Sequence, residues 1–287
     1  MSIEKNSEIL FLYDAKMTNP NGDMDNENKP RMDYDTNTNL VSDVRLKRYI
    51  RDYLELGLGK EIFITENAKD SKDRAKQLGE ANKTYTDLID VQLFGAVFAA
   101  EGGNDHLTGP VQFNWGYSLN PVEINESSTI TSSFSGGEGV GKDFRVKYSL
   151  LAFDGSINGN ISESTKLNDE TVKIFDKAMI QALPFNRTRS KTGQAPRLYL
   201  RVETDKSTFL KDLREYVKIN YKTDDYKVRS IEDLTLDLSE LKTYLKSKGD
   251  KITAIKYWID DKLVIENCES IESYLKIGNV IPEKMND

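Results

Sequence analysis

The first strongly patterned stretch is Glu8–Lys16 (EILFLYDAK), a mostly apolar run closed by the turn-prone Asn19-Pro20-Asn21-Gly22-Asp23. Such a run predicts a buried strand. Residues 17–39 are rich in Asn and Asp and carry two prolines, which predicts a long polar loop. From Ser42, well suited to cap a helix, the pattern becomes helical and runs to about Leu56. Residues 57–108 are mixed: Ile62–Thr65 predicts a short strand, the charged 66–83 stretch a solvated helix or mobile segment, and 86–100 a helix with one apolar face. This block reads as an insertion. Period two returns at 110–119, where Val111, Phe113, Trp115, Tyr117 and Leu119 share a face, and again at 143–153. Between them, residues 127–141 hold nine Ser or Gly in fifteen positions, which predicts a flexible loop or hairpin tip. A helix over 168–183, capped by Asn168 or Asp169, precedes a strand over 197–203. The last third is charged, with predicted helices at 207–219, 239–247 and 269–277 and a strand near 252–259.

The order strand, helix, strand, strand, helix, strand is the ferredoxin-like pattern. The expected fold class is therefore α+β: one RRM- or ferredoxin-like domain over residues 1–287 with large insertions, and a charged α/β C-terminal extension over 204–287. No internal repeat is visible. A chain of 287 residues with 38% hydrophobic and 30% charged residues can bury a sizeable core, yet is polar enough to predict a multi-lobed shape or much polar interface.

One cysteine, Cys268, excludes an intramolecular disulfide framework and any multi-Cys zinc site, and one histidine, His106, excludes zincin motifs. No stretch matches a signal peptide or membrane span, so a cytoplasmic protein without a membrane partner is expected. The net charge of −7 makes local patches decisive for any nucleic-acid binding.

Three basic patches stand out against that acidic total. On the wheel of 43–54, Arg45, Lys47, Arg48 and Arg51 oppose Leu46, Tyr49, Ile50, Tyr53 and Leu54, and the sum over 43–51 is +3. Arg45 with Arg48 and Lys47 with Arg51 are like-charge neighbours that cost a few tenths of a kcal/mol per pair without a counter-charge (~0.2–0.5 kcal/mol), and a polyanion would supply one. On 143–153, Arg145 and Lys147 point together. On 197–203, Arg197, Tyr199 and Arg201 do so, preceded by NRTRSKTGQAP; from Arg187 to Arg201 there are five bases, among them Arg189 and Lys191, and no acid. Adjacent strands of this kind would offer single-stranded RNA a face of Arg, Lys and Tyr.

Motifs for chemistry are weak. Gly136–Lys142 fits most of a Walker A loop, but Asp143 follows where a hydroxyl is required and the chain beyond is strand-like. Asp33, Asp35 and Asn37 open like an EF-hand, with Thr38 in place of the turn glycine and Val44 in place of the final Glu. His106 reads as a surface-loop residue. Cys268, among acidic neighbours, is a poor nucleophile. A single magnesium-bound aspartate remains open, with Asp14, Asp23, Asp143 and Asp154 all eligible. No cofactor or metal is implied.

The N-terminal strand, TNPNGDMDNENKPRMD, NLVSDVRLKRYIRDYL, LTGPVQFNWGYSLNPV, DFRVKYSLLAF and TRSKTGQAPRLYLRVE together resemble the crRNA-binding backbone subunit of type I CRISPR Cascade complexes. This is the Cas-seven family in its I-B form, within the RAMP superfamily, and the resemblance covers about residues 8–203. It implies an RRM-like palm, a finger insertion at 57–108 and a thumb at 120–143. It also implies copies that assemble head to tail along crRNA, join other Cascade subunits and present the guide for pairing with target DNA in antiviral defence, without catalysis. Asn21 and Ser42 to Arg51 match the family's guide-contacting loop and helix. The RNA-binding residues this implies, together with the basic patches above, are Asn21, Ser42, Arg45, Lys47, Arg48, Arg51, Arg145, Lys147, Arg187, Arg189, Lys191 and Arg197. A metal-dependent RAMP-type endoribonuclease and a solitary RRM-like RNA binder are the alternatives.

Overall fold

The apolar run near the start of the chain becomes β1 (Asn6–Thr18), and its two-sided hydrophobicity sets where it sits. In the computed structural model, which describes residues 2–100, 103–125, 129–131 and 140–286, β1 lies inside a nine-stranded sheet. The others are β2 (Met32–Asp33), β3 (Thr38–Val41), β4 (Val111–Phe113), β5 (Gly116–Ser118), β6 (Val146–Ile157), β7 (Gln194–Thr204), β8 (Ile252–Ile259) and β9 (Glu283–Lys284). Their order is β9-β8-β7-β1-β6-β5-β3-β2, with β4 also paired to β6. Only β8 and β9 run parallel. The fold is thus a mixed α/β arrangement on a central mixed sheet.

Both faces of that sheet are covered. Ile9, Phe11 and Tyr13 join Phe153 and Tyr199 beneath α1 (Asp43–Asp52) and α4 (Asp169–Phe185), whose Leu46, Tyr49, Phe175 and Met179 complete one core. Leu10 and Leu12 point the other way with Leu150, Leu198 and Leu200, against Leu213, Leu234, Leu241 and Leu245 from the last third of the chain. Each such side chain removed from water contributes about 1.5–3 kcal/mol, which is why β1 needs two covering layers. α4 starts where Asn168 accepts the Thr171 N–H at 3.0 Å, and Asp169 and Glu170 complement its N-terminal dipole. A third, smaller cluster (Phe63, Leu78, Leu88, Val91, Phe98) forms within residues 57–108, under α2 (Ser71–Glu80) and α3 (Ile89–Phe94).

Several expectations need correcting. Ile62–Thr65 is not a strand; its backbone is spent on Asp90, whose carboxylate accepts the Phe63 and Ile64 N–H groups at 2.6 and 3.2 Å. The helix expected over 86–100 stops at Phe94, because Gly95 takes φ +72° and a Cβ there would lie 2.0 Å from the Leu107 carbonyl oxygen. Residues Gly95–Ala100 then form a hairpin with Gly103–Thr108, so His106 sits on a strand and not in a loop. The alternation over 110–119 breaks between β4 and β5: Val111 and Phe113 enter the helix-side core, whereas Leu119 packs on the opposite one. Residues 207–219 form only one helical turn, Leu213–Tyr216, since Lys218–Tyr221 pairs with Leu234–Asp237. Only Ile271–Tyr274 turns helical in 269–277, shortly before Gly278 at φ +56°. The polar segment 17–39 is pinned by two short strand pairs. Among the described residues no helix is long and apolar enough to cross a membrane.

Candidate nucleic-acid interface

The N-terminus of α1 is built by two small polar residues. Asn21 Oδ1 accepts both the Ser42 N–H and the Ser42 hydroxyl at 2.9 Å, and Ser42 in turn caps the Arg45 N–H. The Asn-Gly-Asp turn therefore buttresses the start of α1.

The four bases of α1 divide. Lys47 is buried, donates to Asp43 (3.0 Å) and Gln112 (3.3 Å), and lies over the Phe94 ring. Arg48 clamps Asp52 and donates to the Ile64 carbonyl at 3.1 Å. Arg51 donates to Asp90 at 3.0 Å, and Asp90 is 0% exposed. The wheel places these three opposite the core-facing arc, but the 57–108 block packs on that side and takes them up in tying it to α1. Arg45 differs. Its guanidinium stacks 4.0 Å from the Tyr49 ring centroid, its Nε is buried without a hydrogen-bond acceptor, and it makes no ion pair among the described residues.

Beside Arg45 comes Lys191, delivered by the turn between α4 and β7. Its ammonium donates to the Asn19 carbonyl at 2.5 Å and the Pro20 carbonyl at 3.3 Å, with no carboxylate partner among the described residues. Burial, and then the neighbouring Arg45 charge, bring its pKa down to about 7. The turn is fixed to the end of β1 by the Lys16 N–H to the Gly193 carbonyl (2.8 Å), the Asn19 N–H to the Ser190 carbonyl (3.0 Å) and the Thr18 hydroxyl to the same oxygen. Two cations thus converge without a counter-charge, which is what an incoming anion requires.

The same turn carries Arg187, exposed and without an ion pair among the described residues, and Arg189, which reaches Asp143 at 3.0 Å. Arg145 shares Asp143 and also donates to the Met17 carbonyl (2.8 Å) and the Arg189 carbonyl (3.3 Å). Asn28, Lys142, Asp143, Thr188, Arg189 and Ser190 line a shallow cleft there.

A family model described as CRISPR-associated protein Cas7 matches residues 5–239 of this chain. The chain belongs to the Cas7 family. A CRISPR-associated protein Cas7 of Haloferax volcanii is 32% identical over 308 residues, spanning 93% of this chain and 90% of its own. Chains of two solved structures share the Cas7 chain's fold: a CRISPR RNA-guided surveillance complex captured pre-nicking and another such complex. Each gives a TM-score of 0.55 at 15% identity, over 98% of this chain and 96% and 95% of theirs.

Other expected contacts in this Cas7 chain fall elsewhere. Lys147 pairs with Glu123 at 2.9 Å, which Arg229 also engages at 2.8 Å. Arg197 is the residue skipped where the β1–β7 register shifts, so it leaves the Tyr199–Arg201 alternation; it bridges Asp14 (2.9 Å) and Asp260 (2.6 Å). Tyr199 and Arg201 face the helices, where Asp176 accepts from both, and Arg201 is only 3% exposed. Among the described residues no open Arg/Tyr face is left on the sheet, because each face carries a covering layer. Two bases outside the expected set also sit beside aromatic rings: Lys29 lies over the Phe144 ring, and Arg31 pairs with Asp23 and approaches Trp115. An aromatic beside each base was the available signal.

The four eligible aspartates of the Cas7 chain do not form one site. Asp14 is buried against Arg197 and the Tyr148 hydroxyl, Asp23 pairs with Arg31, and Asp143 holds two arginines. Asp154 is pushed up to about 6 by burial and by Asp212, and the adjacent Glu8 up to about 9 by burial and by Asp154. Asp33, of the EF-hand-like stretch, spends its carboxylate on the Asp35 N–H and the Thr36 hydroxyl within its own turn. No group of three metal-ligating side chains occurs among the described residues. Burial pushes the Cys268 thiol up. Residues 126–128 and 132–139, which include most of the Walker-like stretch and 11 of the 24 positions of the expected thumb, lie outside the described residues; Lys142 ends a short strand and pairs with Glu27.

Proposed function

We propose that this Cas7-family chain is the crRNA-binding backbone subunit of a Cascade surveillance complex, of the I-B type. Several copies assemble head to tail on the guide, with other Cascade subunits, and hold its phosphates so that its bases pair with target DNA. The observation that carries the reading is the Arg45–Lys191 pair, two converging cations with no carboxylate between them, beside the exposed Arg187. In an acidic protein such a focus gains most from a polyanion. The two-helix face and the order β7-β1-β6-β5 support an RRM-like palm. Residues 57–108 then form a finger, 120–143 a thumb and 204–287 an extension that roofs the sheet, which moves the RNA from the sheet face to its rim.

A binding role is preferred to catalysis because each eligible aspartate is already engaged by an arginine or by another carboxyl group. The chain works in the cytoplasm, where guide and target meet. Arg45→Glu is expected to abolish co-purification of guide RNA while leaving the far-UV circular dichroism unchanged. A folded variant that still carries RNA at the wild-type absorbance ratio would place the binding face elsewhere.

A further inference from the structure

The Arg45–Lys191 pair has a property that its role in holding RNA does not require. Lys191 is enclosed between α1 and the end of β1. Its ammonium donates to the Asn19 and Pro20 carbonyls from the segment after β1 and has Arg45 of α1 as its neighbouring charge, while the Tyr49 phenol reaches the same Pro20 carbonyl and Gln194 of β7 donates to the Lys191 backbone carbonyl. The Tyr49 hydroxyl is itself taken by Gln194 at 2.9 Å. The Asp143 carboxylate beyond the turn is held by Arg145 and Arg189. Among the described residues nothing anionic therefore offsets a second positive charge next to a guanidinium that its stacking on Tyr49 holds in place. A neutral amine can still donate to both carbonyls, more weakly than the ammonium does, and neither carbonyl carries the full negative charge that would hold the proton.

We infer that Arg45 and Lys191 close on one phosphodiester of the bound strand and that Lys191 takes up a proton as the phosphate arrives, so that RNA binding by this chain is proton-linked. This rests on the guide-binding reading above and adds the ionic state of the empty site. The sign follows from linkage: a phosphate favours the charged amine, so the bound form holds the proton to higher pH than the free form. The free amine, lowered by burial and by Arg45 to about 7, is mostly neutral at pH 8. Affinity then falls about tenfold between pH 6 and pH 8 at constant salt, with a slope nearing one decade per pH unit at the alkaline end.

The test uses the full chain with a fluorescein-labelled oligouridylate, titrated across that pH range, and calorimetry at pH 8 in two buffers of different ionisation enthalpy. Wild-type protein is expected to take up close to one proton per phosphate clamp. Lys191→Arg, which cannot release its charge, is expected to bind with an affinity nearly flat in pH and with that uptake lost. Equal uptake by wild type and Lys191→Arg, or no uptake by either while RNA binds normally, overturns the proton linkage and leaves the binding role standing. Failure of the folded wild-type chain to bind the oligonucleotide at any pH overturns both.

Discussion

Asp90→Asn separates architecture from RNA contact along α1. Asp90 is wholly buried and accepts three hydrogen bonds: from Arg51 Nε at 3.0 Å and from the Phe63 and Ile64 N–H groups at 2.6 and 3.2 Å. Asparagine keeps the shape but offers a single acceptor oxygen and turns its NH₂ toward groups that are themselves donors. Arg51 then remains half of a broken buried pair beneath Phe94. Breaking such a pair costs about 3–5 kcal/mol. At roughly 2–4 °C per kcal/mol for a large domain, the midpoint should fall by on the order of 10 °C. Urea titration followed by tryptophan fluorescence reads the free energy, and a thermal scan reads the midpoint. A loss below about 1 kcal/mol with an unchanged denaturant slope would refute the assignment of Arg51 to the scaffold and return it to the RNA-binding set.

Arg45→Met should leave stability within about 0.5 kcal/mol of wild type and lower the salt slope of RNA binding by about one, measured by fluorescence anisotropy against salt concentration; an unchanged slope would remove Arg45 from the phosphate contacts. Gly95→Ala forces a side chain onto the Leu107 carbonyl at a left-handed position and should cost well over 1 kcal/mol in a urea melt. Leu241→Ala should cost about 2–5 kcal/mol, because Leu241 is fully buried in the layer over the second sheet face. Glu8, raised to about 9, contributes stability that is present below its unfolded value near 4.5 and is lost as pH rises toward 9. Glu8→Gln should therefore match wild type in thermal midpoint at pH 4 and exceed it at pH 9; equal midpoints at both would refute the raised Glu8 carboxyl.

What the sequence revealed was whatever is encoded locally. The mostly apolar run of β1, the Ser42 and Asn168 caps and the strand over RLYLRVE each require a particular backbone within a few residues, and each appears in the structure. Gly95 shows the limit: its helix-compatible neighbours give no warning that Leu107 will press on it from a hairpin partner. The candidate site divides the same way. Arg45, Arg187 and Lys191 were recognisable as basic, yet the meeting of Arg45 with a lysine 146 positions later depends on β1 and β7 pairing in the sheet. Lys47 and Arg51 looked solvent-facing on the wheel because a wheel knows nothing of the Phe94 and Asp90 that arrive from elsewhere. Arg197 was misassigned by a single skipped residue, since an alternation rule fails wherever a bulge intervenes.

The placement of β1 has a consequence for biosynthesis. Asn6 pairs with Thr204, and the other long edge of the strand pairs with β6, so β1 is completed by strands translated well after it. At about 5–20 residues per second, β1 waits on the order of 10–40 s for β7 to be translated, and until β6 emerges neither long edge has a partner. The nascent chain is therefore most exposed to self-association during that interval, and slower elongation or scarce trigger-type chaperones should lower the yield of folded subunit before any step of RNA loading is reached.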